Sequence, residues 1–471
     1  MYLQIATNLP CLRPLLALIA QLASAVSAAT TPQRRVSIPT PPNDPFYEPP
    51  GGWESANNGD ILRIRKIETG LIGVDKMNVK EAYQILYRTT GTYASNASTT
   101  VTTVIVPHNA QPNKLVNYVA FTDANGPQCA PSYTIRMGGN FANDISMTYQ
   151  QLVYTTFLND GYIVTVPDHQ GPTRAFGAGP LEGRMSLDGI RATLNFKPLG
   201  LKKNAKVATY GYSGGSIASG WAAELQPTYA PEINAVGFAL GGIVANISST
   251  VENINGGMYS AFAFAGFAGL YYAHKGFQDW ITPKLTDETH TALESVRSTC
   301  LVQNLLKHPF QNLLSDKYVQ GGSTLLHEPV FVEVLEQLVM GTNKSQTPKA
   351  PVYMFHGHHD EIIPFPSALK SGKAWAHQGA NIFFQEYTDL LMGHITTAFL
   401  TIPDVLFFVR DRMQDKPFVK GWNHKLSDNP LKHPNAPLKG LEALINDIQD
   451  IVGRQVGPAD SIMKEMIKKH A

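Results

Sequence analysis

Short apolar runs that break off at glycine, aspartate or proline recur along the chain. Ala82–Arg88 and Thr99–Val106 flank a polar loop, which predicts a β-hairpin. Val116–Thr122 is apolar and β-branched, and stops at Asp123-Ala-Asn-Gly126. Tyr162–Val166 stops at Pro167-Asp168, Lys206–Tyr210 at Gly211, and Ile233–Phe238 near Gly241-Gly242. Val352–Phe355 stops at His356-Gly357, and Ile382–Tyr387 before Asp389. Helical patterns lie between them at Thr148–Asn159, Leu187–Asn195 and Ser216–Leu225, the last expected to end at Pro227. Strands alternating with helices predict an α/β fold, a mostly parallel sheet with helices on both faces. Ligands of such sheets gather at the carboxyl ends of strands, so the strand exits are where chemistry is sought.

Residues 246–347 interrupt this alternation with a mostly helical pattern. Its Gly256–Tyr272 run is rich in Ala, Phe and Gly. Three readings compete for that run: a membrane span, a core helix, or part of a cap over a site. Its length and its glycines 257, 266 and 269 oppose the span. Its place, an insertion between two sheet strands on the exit side, favours the cap. The expected organisation is therefore a core of residues 29–245 and 348–471, with a helical cap at 246–347. Residues 29–52 are Pro-rich and turn-rich, as in an extended surface arm. Near the C-terminus Leu441, Leu444, Ile445, Ile448 and Ile451 recur at helical spacing, expected as a docked amphipathic helix rather than an anchor.

Charge and composition narrow the class. Lys+Arg 38 against Asp+Glu 37 gives a net charge of +1 with no basic stripe, which argues against a nucleic-acid partner. Leu12–Val26 is nearly all apolar or small with Arg13 its one charge, and Val26-Ser27-Ala28 offers small residues for cleavage. Residues 1–28 are expected as a secretory signal peptide, the alternative being a buried N-terminal helix. Cleavage would remove Cys11 and leave Cys129 and Cys300. Two cysteines in an oxidising compartment invite one disulfide; two buried thiols are the alternative. Sequons at Asn96, Asn246 and Asn343, each in a loop-like stretch, also fit secretion as candidate glycosylation sites.

Gly211-Tyr-Ser213-Gly-Gly215 matches G-x-S-x-G, with a strand pattern before it and a helix pattern after. The chemistry needs those glycines because the serine sits on a strained strand-to-helix turn where nearby side chains would collide. Gly214, directly after the serine, is the expected oxyanion donor through its backbone N–H. A serine nucleophile needs a base, and the base an orienting group. Asp360, in the turn after Val352–Phe355, fits the acid, with Glu361 an adjacent rival. His394, in Leu391-Met-Gly-His394 after the late strand, fits the base better than His377, His424 or His433. A metal at His358-His359-Asp360 is disfavoured because no distant Cys/His set completes a site. Neither a metal nor an organic cofactor is expected.

The block Tyr210-Gly-Tyr-Ser-Gly-Gly-Ser-Ile-Ala-Ser-Gly-Trp-Ala-Ala-Glu-Leu-Gln226, followed by Tyr229-Ala-Pro-Glu232, resembles the fungal secretory lipases typified by Candida antarctica lipase A. So do Val166-Pro-Asp168 with Gly171-Pro172, Leu187-Asp188 with Ile190-Arg-Ala192, His356-Gly357 with Asp360, and Gly393-His394. The similarity runs from about Asp44 to Arg412. It implies an α/β-hydrolase core, an inserted helical cap, a Ser213/Asp360/His394 triad and a Cys129–Cys300 disulfide. It also implies an aspartate as second oxyanion contributor, matched by Asp123. The activity implied is that of a secreted lipase on triacylglycerol or other lipid esters, with transient contact at a lipid interface and no stable membrane insertion. Phe262, Phe264, Phe267 and Leu270 in the cap would suit an acyl chain. The alternative is an esterase deacylating a small fungal metabolite, similar to trichothecene esterases. A peptidase lacks an evident charged pocket for a peptide terminus, and a non-catalytic binding protein would usually lack part of the triad.

Overall fold

The computed structural model describes residues 37–428, apart from 72–74, 94–95 and 140–144. The expected leader at 1–28, Cys11, His433 and the expected C-terminal helix lie outside the described residues. Among the described residues, ten strands form one sheet. They are β1 (Ile61–Ile67), β2 (Glu81–Thr90), β3 (Ala97–Val106), β4 (Lys114–Val119), β5 (Ile163–Pro167), β6 (Lys206–Tyr212), β7 (Ala235–Gly241), β8 (Val352–Gly357), β9 (Ile382–Tyr387) and β10 (Trp422–Ser427). Their spatial order is β1-β2-β3-β5-β4-β6-β7-β8-β9-β10. The first three strands and the β3–β5 pairing are antiparallel. Every pairing from β5 to β10 is parallel. The expected hairpin is β2–β3, with Glu81 opposite Val106 and Thr90 opposite Ala97.

Inner strands bury both faces, which is why they read as apolar runs. In β6, Val207 enters one core while Ala208, Tyr210 and Tyr212 enter the other. In β8, Val352 and Met354 face the first core, and Tyr353 and Phe355 the second. Helices α1 (Ile145–Asn159), α2 (Gly179–Asn195) and α3 (Gly214–Tyr229) follow β4, β5 and β6. Leu187 of α2 and Ile217 of α3 join the first core, and Phe157 of α1 joins the second.

Two expectations at helix boundaries change. Helix α2 begins at Gly179 rather than Leu187. Helix α3 passes through Pro227 to Tyr229. A proline in the final turn removes one hydrogen bond near the end of the ladder, so it does not stop the helix there. Strand β6 likewise runs through Gly211, which pairs with Val119 and Leu240.

Between β7 and β8 lie α4 (Ile247–Ile254), α5 (Ala261–Ala273), α6 (Lys275–Ile281), α7 (Asp287–Ser298), α8 (Leu301–Lys307) and α9 (Pro329–Glu336). The apolar Gly256–Tyr272 run turns at Gly256, φ +76°, and then forms α5. Among the described residues no helix is long and apolar enough to cross a membrane. The two ends of this insertion are joined. Asn246 bridges Val339, and the Met340 N–H donates to the Ala245 carbonyl at 3.0 Å. After β8 come α10 (Phe365–His377), α11 (His394–Leu400) and α12 (Ile402–Met413).

Candidate active site

Ser213 stands between β6 and α3 with φ 53° and ψ −124°, a conformation that L-residues rarely adopt. Its neighbours leave no room for side chains. A Cβ on Gly211 would lie 2.3 Å from the Gly215 carbonyl oxygen, and one on Gly215 2.2 Å from that of Val119. The turn is fixed by two main-chain bonds, Ser213 N–H to the Gly241 carbonyl at 3.0 Å and Ser216 N–H to the Ser213 carbonyl at 2.7 Å. Ser213 itself is half-buried, at the carboxyl end of the central strand.

His394 opens α11, and its Nε2 lies 2.8 Å from Ser213 Oγ. Its Nδ1 lies 2.7 Å from Asp360 Oδ2. The other Asp360 oxygen, Oδ1, accepts from the Ile362 and Ile363 N–H groups at 3.0 and 2.8 Å. Asp360 therefore has a set orientation, and Nδ1 of His394 carries the proton when the ring is neutral. Two further contacts hold the histidine main chain. Its carbonyl accepts from Tyr212 Oη at 2.6 Å, and its N–H donates to Glu361 Oε2 at 2.8 Å. Glycine at 242 lets the ring approach, since a Cβ there would lie 2.8 Å from His394 Cε1.

The electrostatics favour an imidazolium paired with a carboxylate. Burial disfavours the charged ring, but the Asp360 charge and hydrogen bond, with Glu361 and Asp123, outweigh it and hold the His394 pKa above its ordinary value. Burial likewise pushes the Asp360 carboxyl up, but the His394 charge and bond, His356 and the Ile363 N–H outweigh it and hold the carboxyl low. His356 is buried; its Nδ1 accepts from Ile243 N–H at 3.0 Å and its Nε2–H donates to the Ile363 carbonyl at 3.1 Å. It thereby ties the end of β8 to the segment after β7. Burial lowers its pKa and keeps it neutral.

Asp123 follows β4 with φ 49°. Its Oδ1 packs on Gly214 so closely that a Cβ there would lie 1.7 Å from it. The Asp123 side chain and the Gly214 main chain thus meet beside Ser213. Beside them a partly open pocket is lined by Ser213, Gly214, Asp123, Phe176, Thr250, Phe262 and Ile363 among others. A second, almost wholly apolar cavity lies among the insertion helices and includes Phe267, Leu270, Leu325 and Phe331. Ile247, Val251 and Gly266 line both. Phe264 lines neither; it packs against His308 and Tyr318 inside the insertion. Helix α5 is apolar all round, so its sequence gave no basis for telling lining residues from packing ones.

Cys129 and Cys300 form a disulfide, both fully buried, tying the segment after β4 to the start of α8. Asn96 and Asn343 are exposed, whereas Asn246 is half-buried and caps α4, its Oδ1 accepting from Ser249 N–H at 3.2 Å. It is a helix cap rather than a loop residue. The His358 ring bonds Glu386 Oε1 at 2.6 Å, and His424 bonds Oε2 of the same carboxylate at 2.7 Å. Among the described residues no set of His, Cys, Asp or Glu is arranged to hold a metal ion. His424 lies on β10, and His377 is exposed on α10. Sequence reasoning did not single out Tyr212, Thr250, Ile363 or Gly242. Only Tyr212, the residue before the nucleophile, carried a positional signal.

The chain matches a family model described as secretory lipase over residues 137–421. It is 49% identical over 445 residues to a secreted triacylglycerol lipase of Malassezia restricta, an alignment covering 94% of this chain and 95% of that one. It is 53% identical over 378 residues to a secreted triacylglycerol lipase of Malassezia furfur, covering 80% and 99%. The X-ray structure of Candida antarctica lipase A matches with a TM-score of 0.80 at 31% identity, covering 90% of this chain and 99% of that one. The rice cell wall degrading esterase LipA of Xanthomonas oryzae, at 15% identity and TM-score 0.60, shares the fold.

Proposed function

Because the chain belongs to the secretory lipase family, we propose that it is a secreted hydrolase of triacylglycerol and related lipid esters, working through Ser213, His394 and Asp360. The observation that carries this reading is the continuous relay Ser213 Oγ–His394 Nε2–His394 Nδ1–Asp360 Oδ2, at 2.8 and 2.7 Å, opening into an apolar cavity.

Ser213 Oγ attacks the ester carbonyl while His394 Nε2 takes its proton. Asp360 keeps the Nδ1 proton in place and stabilises the imidazolium that forms. The tetrahedral oxyanion needs donors. The N–H of Gly214 supplies one, and the N–H of Asp123 the second, because an ionised carboxylate accepts but does not donate. Imidazolium then protonates the departing alcohol, leaving an acyl group on Ser213. Water, deprotonated by His394, attacks the acyl-enzyme and releases the fatty acid.

Residues 246–347 act as the cap, and the acyl chain lies along the cavity at Ser213 and through the Ile247/Val251/Gly266 junction into the inner one. An almost wholly apolar lining favours an alkyl chain over a polyoxygenated metabolite. The test is hydrolysis of butyryl and palmitoyl p-nitrophenyl esters and emulsified triacylglycerol by wild type and Ser213→Ala. The expected result is activity on all three that is lost in the variant. Equal rates for the two proteins would overturn the reading.

A further inference from the structure

The mechanism above uses one carboxylate on His394, and the structure presents two. Asp360 takes the ring, while the adjacent and exposed Glu361 turns Oε2 to the His394 backbone N–H at 2.8 Å. Gly393, just before the histidine, offers no side chain to cap that N–H. Its lack of a Cβ also makes room for the carboxylate, because a Cβ would lie 2.5 Å from Glu361 Oε2. The Glu361 main chain is itself tied to the insertion. Asn253 of α4 donates from Nδ2 to the carbonyls of Glu361 and Ile362 at 3.3 and 3.0 Å. The neighbouring dipeptide Asp360-Glu361 therefore grips both the ring and the backbone of one histidine.

We infer that Glu361 is a positioning residue for ester hydrolysis, fixing the main chain of His394 and supplying a second negative charge that favours its imidazolium. This rests on the triad reading above. The proton leaves Ser213 for His394 as the ester is attacked, so a nearby anion stabilises the charge that develops there. The groups facing this pair are Asp360 on the same loop, Asp123 after β4, neutral His356 at the end of β8, and the phenols of Tyr212 and Tyr259. Among them, Glu361 is the charged group open to solvent, so its share of the field is the part that salt can screen.

The experiment measures kcat and KM for a soluble butyryl p-nitrophenyl ester across pH, at low salt and at about 1 M salt. Wild type, Glu361→Gln, Glu361→Ala, Gly393→Ala and Ser213→Ala are compared. Glutamine keeps an acceptor for the His394 N–H and removes the charge. Its acid limb of kcat/KM is expected at lower pH than that of wild type, with the gap narrowing at high salt and the plateau down about two- to threefold. Alanine removes the acceptor as well, and kcat is expected to fall about tenfold at unchanged KM. Gly393→Ala, which displaces the carboxylate, is expected to lose kcat in the same direction. An acid limb identical in wild type and Glu361→Gln at low salt would overturn the inference. Full plateau kcat in Glu361→Ala would do the same. Turnover surviving in Ser213→Ala would instead overturn the triad reading itself.

Discussion

Ser213 holds a backbone conformation that is costly for any side chain, and the glycines around it exist to accommodate that turn. Replacing Ser213 by alanine is expected to lower kcat/KM at least about 10⁴-fold with the fold intact, measured alongside a thermal melt. Asp360→Asn keeps the shape but reverses the hydrogen-bonding sense at Nδ1, and a loss of about 10⁴-fold in kcat is expected. The pH profile follows from the same pair. His394 must be neutral to accept the serine proton, and its pKa is held above the ordinary imidazole value. Activity should therefore fall on the acid side, with its limb above that value, as kcat/KM across pH would report. A second buried acid affects stability rather than turnover. Glu224 on α3 accepts from Trp375 Nε1 at 2.6 Å and from Gly341 N–H, and burial pushes its carboxyl up to about 7 despite those donors. A carboxyl raised on folding contributes stability that is fully present below its ordinary 4.5 and is lost as pH rises through about 7. Glu224→Gln should remove that loss. The melting temperature of wild type, relative to the variant, is expected to drop between those pH values and to level off above them.

Elements differed in how plainly the sequence announced them. Inner strands such as β8 and β9 bury both faces and appeared as apolar runs leading into the candidate site. Edge strands did not. In β10, Trp-Asn-His-Lys-Leu-Ser has one bonded neighbour and mostly exposed side chains, so no apolar run marked it. β1 mixes Ile and Leu with Arg and Lys for the same reason. Ser213 and Asp360 were legible because each follows a strand end within three residues, whereas His394 stands seven residues beyond β9 and was marked by the preceding glycine and the helix it opens. Glu361 read only as a rival to Asp360 with a less favourable offset from the strand end, and nothing in the sequence marked it as a partner of the His394 main chain. Phe264 shows the opposite limit. Which face of an all-apolar helix lines a cavity is set by its neighbours, not by its own pattern. The Cys129–Cys300 bond links the segment bearing Asp123 to the insertion across 171 positions of chain. Cys300→Ser with Cys129→Ser is expected to cost roughly 2–5 kcal/mol in denaturant unfolding. The pair of substitutions should also lower kcat, because the Asp123 loop loses its tether; an unchanged unfolding midpoint would contradict this.

The molecule as a whole joins a sheet that assembles the relay to an insertion that stores an apolar cavity. The pocket at Ser213 and the cavity inside the insertion are both lined by Gly266 on α5, where an added Cβ would find nothing within 4 Å. Leucine there should project into open space between the cavities without disturbing the packing. Gly266→Leu is expected to lower kcat/KM for a palmitoyl ester about tenfold or more relative to a butyryl ester, since a blocked chain forfeits the burial of its outer methylenes. An unchanged chain-length ratio would show that long chains take another path. The relay itself is tested most directly by trapping it. A p-nitrophenyl alkylphosphonate mimics the tetrahedral state and transfers its phosphonyl group to an activated serine, releasing p-nitrophenol. Peptide mass spectrometry after inactivation should place one phosphonyl group on Ser213, in step with loss of activity, and none on His394→Ala treated alike. Full inactivation with the label on a different residue, or an unlabelled Ser213, would contradict it.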